Sequence, residues 1–436
     1  MQSSLSKLRV AALVSIAMAV ASYPVAVVAS AAAKVYGYLS GLAMPQSGGA
    51  VLSANNLTGL IPTLYNALDV VSRELVGLIP AVSSDMTFER AAVGQTVKSP
   101  VAPAAAATDI TPAVTPPNDG DQNIGSVDMT ISKARRVPIR WNGEEKRGLD
   151  NNGASYNVIL RDQFAQGMRT LVNEVESDLA GLHIYASRAY GTPGTTPFAT
   201  NLADTAQGRK ILSDNGAPLG DLQAVIDTSA GAAMRTLTQL SKANEAADTS
   251  LLRRGVLLDV HGFALRESAQ IKTSLAGTGA AATTNAAGYA VGATAITLAS
   301  AGTGTVIAGD VITFAGDATK YVVAAGDSDV SGGGVITLAA PGLRKAIPAA
   351  ATAITLAAGA ARNMLFARSA IALATRAPAL PAQGDSAIDR MVITDPVSGL
   401  SFEVSVYAQY RQIQYEVALA WGVAAVKREH MALLLG

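Results

Sequence analysis

From Leu160 to Ala186 an apolar residue returns every three or four positions: Leu160, Phe164, Met168, Leu171, Val175, Leu179, Leu182 and Ala186. Arg161, Asp162, Gln166, Arg169, Asn173, Glu174, Glu176 and Asp178 fall mostly on the other side. This is the stripe of an amphipathic helix. About 30 residues at a rise of 1.5 Å make a rod of roughly 45 Å, well above the usual helix length. "GTPGTTP" from Gly191 is expected to end it. A second stripe, Leu60, Leu64, Leu68, Val71 and Leu75, predicts a helix over Asn55–Leu78. Pro62 fits its first turn and Pro80 closes the segment.

Elsewhere the period is two. ATAITLA occurs at Ala293–Ala299 and again at Ala351–Ala357, with near-copies around Ile312 and Ile336. In each phrase apolar residues flank a threonine: Ile296, Thr297, Leu298; Ile312, Thr313, Phe314; Ile336, Thr337, Leu338; Ile354, Thr355, Leu356. Such alternation predicts short strands with one buried face. Gly-rich turns between them predict a small antiparallel barrel or sandwich over residues 276–360. The first copy opens this module and the last closes it, so it is expected as an insertion between "GVLLDVHGF" and "RNMLFARSAIAL". "GTGAAA" at Gly277 is expected as a flexible loop rather than a dinucleotide fingerprint, for want of a strand–helix setting and an acidic partner.

Residues 193–275 look mixed α/β. "LGDLQAVIDT" and "RRGVLLDVHGF" carry strand runs, and Met234, Leu237 and Leu240 mark a helix face between them. After Gly359 the α/β character is expected to resume, with bulky strand segments to the C-terminus.

Residues 88–150 have a different character. Pro100, Pro103, Pro112, Pro116 and Pro117 exclude helix and favour extended, polyproline-like chain. At about 3.1 Å per residue the proline-bearing part reaches roughly 50 Å. Val127, Met129 and Ile131 then alternate with polar residues, and "RRVPIRWNGEEKRGLDNNG" is expected to continue that strand. The whole reads as a two-armed hairpin, which is easiest to explain if it lies on a neighbouring subunit. A disordered linker is the alternative.

Charge and chemistry narrow the choice. Lys plus Arg and Asp plus Glu are 33 each, which excludes a strongly basic nucleic-acid surface. Charged residues are only 15%, which points to large surfaces covered by other protein. The chain has no cysteine, so disulfides, thiolate zinc and cysteine nucleophiles are excluded. His183, His261 and His430 are far apart in sequence and no P-loop is spelled. "DGDQN" from Asp119 fails as a calcium loop at Ile124 and Thr130. No catalytic, cofactor-binding or metal-binding residue is assigned. Adjacent carboxylates Glu144 and Glu145, taken as strand residues, point to opposite faces and make no acid/base pair. They and Lys146 and Arg147 are expected either as a solvated turn or as inter-subunit ion pairs at the base of the arm. Lys133, Arg135 and Arg136 are expected as a solvated strand end or as contacts to a neighbour or to nucleic acid.

Residues 1–43 combine Lys7 and Arg9, an uncharged run from Val10 to Ala33, and Ala29-Ser30-Ala31. These are the parts of a secretory leader. "MPQSGGAVLSANNLTGL" from Met44 looks instead like an ordinary start.

The order of these segments resembles the major capsid proteins of tailed bacteriophages with the HK97-type fold. The inserted barrel makes it similar to the coat protein of phage P22 and its prophage relatives. The resemblance covers residues from about 50 to 436. It is carried by "NNLTGLIPTLYNALDVVSRELVGLIPAV", "ITPAVTPPNDGDQNIGSVDMTISKARRVPIRWNGEE", "GVLLDVHGFALRESAQ", "GYAVGATAITLASAGTGTVIAGDVITFAGD" and "YEVALAWGVAAVKREHMALLLG". It implies an α+β chain. Residues 44–87 would be the N-terminal arm, 88–150 the E-loop, 151–192 the spine helix of the P-domain, 193–275 the first part of the A-domain, 276–360 the barrel and 361–436 the return to the core. It implies a structural protein, not an enzyme, self-assembling as hexamers and pentamers into an icosahedral shell. Partners so implied are a scaffolding protein, a portal, packaged double-stranded DNA and a decoration protein. Assembly in the bacterial cytoplasm and residence in the virion capsid, with no membrane, follow from the same resemblance and favour a start at or near Met44. The alternative is an exported Ala/Gly-rich surface or adhesin-like protein using the leader as written.

Overall fold

A computed structural model describes residues 75–85, 90–101, 107–112, 114–115, 124–151, 156–237, 259–394 and 398–436. All lie in one compact unit, Asn56–Gly436. The leader-like segment 1–43, most of the expected helix over Asn55–Leu78, part of the arm, Leu240 and the strand run at 251–258 lie outside the described residues.

A strap comes first. Leu78, Ile79, Ala81 and Val82 are buried around a 3-10 turn, Ile79–Ala81. Gly77 is needed at its start, because a Cβ there would sit 2.4 Å from the Glu267 carbonyl oxygen. Strands β1 (Ser83–Asp85) and β2 (Arg90–Ala91) follow, then β3 (Thr96–Val101) and β4 (Gly125–Thr130), which among the described residues pair only with each other as a two-stranded sheet.

The next strand, β5 (Lys133–Asn142), corrects the expected arm. It leaves the hairpin and pairs along its whole length with a body strand, Gln412–Ala425. The reason is its inward face: Val137, Ile139 and Trp141 alternate and pack on the main core. Residues Gly143–Asn151 are helix α1, not strand. Helix α2 (Tyr156–Gly181) holds 26 residues, about 39 Å at the α-helical rise. It stops at Gly181, short of the expected end. Leu182 and Ala186 stay buried, but on a 3-10 turn, Leu182–Tyr185, and its extended exit. The stripe therefore marked burial beyond the point where the α-helix ends.

Strand β6 (Arg188–Gly191) and helix α3 (Ala203–Asp214) precede β7 (Leu222–Ile226). Helix α4 (Thr228–Thr236) is capped by Asp227, whose carboxylate accepts from Ser229 N and Ala230 N. Strand β8 (Phe263–Glu267) lies parallel to β7. Then come β9 (Thr273–Ser274), β10 (Ala295–Leu298), β11 (Val311–Phe314), β12 (Lys320–Ala325), β13 (Gly334–Leu338) and β14 (Ile354–Leu356). The C-terminal part is β15 (Ala360–Ala367), β16 (Ile371–Pro378), β17 (Ala387–Thr394), β18 (Ser401–Gln409), β19 (Gln412–Ala425) and β20 (Met431–Leu435). The expected α/β return is thus strands and 3-10 turns, with no α-helix among the described residues.

Among the described residues two large sheets form. One orders β1-β16-β19-β18-β17, with β2 on β16 and β5 on β19. The other orders β10-β13-β12-β6-β20-β15-β7-β8, with β9, β11 and β14 attached. Helix α2 buries Leu160, Phe164, Met168, Leu171, Val175 and Leu179 in a core shared with Phe402, Val404, Val417, Leu419 and Trp421. Phe164 meets Tyr415 edge-on, ring centres 5.6 Å apart.

The four ITL-type phrases are all strands and pair two by two. Ile296 faces Ile336 across β10–β13, and Ile312 faces Leu356 across β11–β14. Strand β12, which has no such phrase, sits between β11 and β13 and also pairs with β6. Backbone bonds tie residues 282–285 to both ends of the set: Ala299 N to Thr283 O, Asn285 N to Thr297 O, and Ile354 N to Ala282 O. The pairing therefore runs in a closed circuit around a separate apolar cluster that includes Ile296, Ile312, Phe314, Tyr321 and Ile336. The chain enters and leaves this set side by side, with Ser274 opposite Ala360 and Thr273 opposite Ala361. The Gly277 loop is pinned: Gly277 N donates to Asp310 Oδ1 at 3.0 Å and Gly279 N to Thr305 O at 2.8 Å.

Candidate assembly site

The β3–β4 hairpin presents highly exposed apolar residues between its two strands. Ile110 is 97% exposed, Val114 105% and Ile124 76%. Its ladder runs from Thr96 opposite Thr130 to Val101 opposite Gly125. At its root, Met129 and Ile131 meet Ala91, Ala374 and Ala420 in a small cluster, with Val97 packed against it. A two-stranded ladder with so small an apolar root is marginal by itself.

The seven sequence-predicted contact residues do not gather into one site. Lys133, Arg135 and Arg136 lie along β5, and each has a partner within the chain. Lys133 Nζ meets Asp178 Oδ1 at 2.7 Å, Arg135 Nε lies 3.6 Å from Glu174 Oε2, and Arg136 Nη1 meets Glu416 Oε2 at 2.6 Å. The bond to Glu416 holds the Arg136 guanidinium above its ordinary value. Glu144, Glu145, Lys146 and Arg147 are exposed on α1 beyond the end of β5. The expectation that the two glutamates are strand residues fails, because Asn142 and Glu145 form a capping box. Glu145 N donates to Asn142 Oδ1 at 2.7 Å, and Asn142 N donates to Glu145 Oε2 at 3.0 Å. The signal was present in the letters as an N-cap residue followed three places on by Glu.

Sequence reasoning missed the carboxylates that fasten the strap. Glu176, placed on the polar side of α2, is 1% exposed. It accepts Ile79 N at 2.8 Å, Leu78 N at 3.1 Å and Ser268 Oγ at 2.7 Å. Burial pushes its carboxyl up from the ordinary value, while the Ile79, Ser268, Leu78 and Gly77 bonds pull it back. Asp85 accepts from buried Arg376 at 2.8 Å. Glu403, 4% exposed, pairs with Arg90 at 2.6 Å and Arg390 at 3.3 Å. No periodic signal marks these residues, since their partners are backbone groups or side chains remote in sequence.

Between β5 and α2 lies an open groove of about 520 Å³, lined by Val137, Ile139, Arg140, Ile159, Gln163 and Gly167. Among the described residues no group of three His, Cys, Asp or Glu could hold a metal ion, and no helix is long and apolar enough to cross a membrane. His183 Nδ1 is 2.9 Å from Ala180 O, and His261 Nδ1 is 2.7 Å from Thr205 Oγ1. Both histidines thus have local partners. What the arrangement offers is an arm with exposed apolar side chains on a small apolar root.

No family model matches the chain, and no curated protein matches it. Among solved structures it is similar to the capsid structure of the cyanophage P-SCSP1u, at 11% identity and a TM-score of 0.43, over 91% of this chain and 94% of that one. It is similar to a chain of the bacteriophage PhiM1 mature capsid, at 11% identity and 0.41, over 82% and 86%. It is also similar to a chain of the capsid of a native GTA particle, at 10% identity and 0.40, over 90% and 95%.

Proposed function

We propose that this chain is a structural coat subunit that assembles with copies of itself into a closed shell, in the manner of a tailed-bacteriophage major capsid protein. The hairpin carries the proposal. Ile110, Val114 and Ile124 are bare in the chain between the strands of a ladder that has little to stabilise it alone. Covering such side chains contributes about 25 cal/mol per Å² of apolar surface, which a second copy of the chain can supply.

In this reading β3, β4 and the residues between them are the extended loop, narrower than 88–150 because β5 belongs to the body. Helix α2 is the spine. Residues 276–360 are an inserted barrel of the P22 coat type, supported by the closed pairing circuit and the side-by-side ends. Ion pairs from Glu144, Lys146 and Arg147 to a neighbouring subunit, a scaffolding protein, a portal, a decoration protein, non-specifically held double-stranded DNA, cytoplasmic assembly and a start near Met44 belong to the same reading. It contains no catalytic step and no cofactor.

The test is assembly. The full chain and a chain starting at Met44 are expressed, sized by sedimentation and imaged by electron microscopy. Closed shells or ring-shaped capsomers are expected from at least one. Monomers at every concentration from both would overturn the proposal. A variant lacking residues 102–117 should fold yet form no regular shell; normal particles from it would remove the role given to the arm.

A further inference from the structure

The arm has to be aimed, and its own fastenings are thin. Its ladder pairs with no other strand among the described residues, and its apolar root is three alanines, one methionine and one isoleucine. The chain enters the arm through the strap and leaves it through β5. Beside their ladders to β16 and β19, both are also held by a single turn of α2.

On one face of that turn, Asp178 divides its carboxylate between the two strands at the arm's exit. Oδ1 takes Lys133 Nζ at 2.7 Å and Oδ2 takes the indole N–H of fully buried Trp421 at 2.8 Å. Glu174, four residues earlier and so on the same face, reaches Arg135 at 3.6 Å. Lys133 also lies 6.0 Å from the centre of the Trp421 ring. Between them in sequence, Glu176 points to the other side of the helix. It holds the strap by two backbone N–H groups, at 2.8 and 3.1 Å, and is steadied by Ser268 at 2.7 Å. Among the described residues no cation pairs with Glu176, and its partners are N–H and O–H groups. The strap then runs along β16 and turns into β3, while Ile131 N donates back to Gln95 O at 2.9 Å across the root.

We propose that Glu174, Glu176 and Asp178 form a two-sided carboxylate clamp that fixes both the incoming and outgoing chain of the arm to one helical turn. The arm's direction is then set by α2 rather than by the hairpin, and a rotation of that turn carries the arm with it. A carboxylate suits both jobs: two oxygens in a fixed fork bridge two donors at once, and charge-assisted bonds are the stronger kind. The clamp stands on the subunit's own contacts and does not depend on the shell reading.

The chain has no cysteine, so two introduced thiols can be spin-labelled without background. Ser126 on β4 and Tyr410, both exposed, are changed to cysteine in the full chain and the label–label distance distribution is recorded. D178N and E176Q are each expected to at least double its width, while amide exchange in β15 stays as before. K133M, a partner whose side chain is 37% exposed, should broaden it as D178N does and covers the case in which D178N fails to fold. An unchanged width in K133M and E176Q would overturn the clamp. So would broadening matched by faster exchange in β15, which would make these residues general supports of the fold.

Discussion

Ile296→Ala tests whether the ITL strands are a folding unit of their own. Ile296 is fully buried, faces fully buried Ile336, and belongs to an apolar cluster separate from the one around α2. The substitution removes three carbons, about 2.4 kcal/mol at roughly 0.8 kcal/mol per buried methylene. The cavity adds to this wherever neighbouring strands cannot close in, so a loss of about 2–5 kcal/mol is expected. It should fall on residues 276–359, because the set joins the body by few ladders: Lys320 and Tyr321 on Ala189 and Arg188, and Thr273 and Ser274 on Ala361 and Ala360. Amide exchange followed by mass spectrometry is the assay. Exchange should rise in β10, β11, β13 and β14 with little change in β15 and β20. I336A should act alike, and the double variant should show a coupling of about 0.5–3 kcal/mol between these facing residues. Equal acceleration in β15 and β20 would refute the reasoning, as would a loss below about 1 kcal/mol.

Two further perturbations address single groups. E145A removes one side of the capping box at α1 and should cost about 1 kcal/mol, with fraying of Gly143–Asn151 visible in exchange, while E144A stays within about 0.5 kcal/mol; equal effects would disprove the box. Burial pulls the His183 imidazole below its ordinary 6.5, with Arg362 adding to it and the Ala180 carbonyl opposing. The unfolded chain therefore takes the proton first, so stability is full above about 6.5 and is lost as pH falls through the folded value. H183N should flatten that part of the denaturation-midpoint profile, and an unchanged slope would refute the assignment.

What the letters made legible follows from which forces are periodic. The α2 stripe and the ITL phrases are repeats of burial at 3.6 and 2 residues, and burial is what the structure confirms at Leu160, Phe164, Ile296 and Ile336. Where the backbone changes form without changing what it buries, the stripe runs on past the end of its element, as at Leu182 and Ala186. The outgoing strand of the hairpin was legible in the alternation of Val127 and Met129, but the exit of the chain from it was not. Val137, Ile139 and Trp141 alternate as any half-buried strand does, and only the partner β19 decides which sheet receives them. The seven charged residues illustrate the opposite failure. Their composition shows charge but not address, and Lys133 and Arg135 proved to face an acidic turn more than 30 residues further along the chain. Glu176 was the least legible, because its partners are backbone N–H groups and the Ser268 hydroxyl, remote in sequence, with no opposite charge among the described residues to betray it.

The ladder between β9 and β15 has a practical meaning for how such a chain can be rebuilt. Two cut ends that are already neighbours can be spliced directly or joined to a foreign domain without a long linker, so recombination could remove or exchange the 276–359 segment in a single event. The graft would face one demand. Strand β12 covers the edge of β6 at Arg188 and Ala189, so a substitute that brings no strand of its own would leave that edge open to other chains.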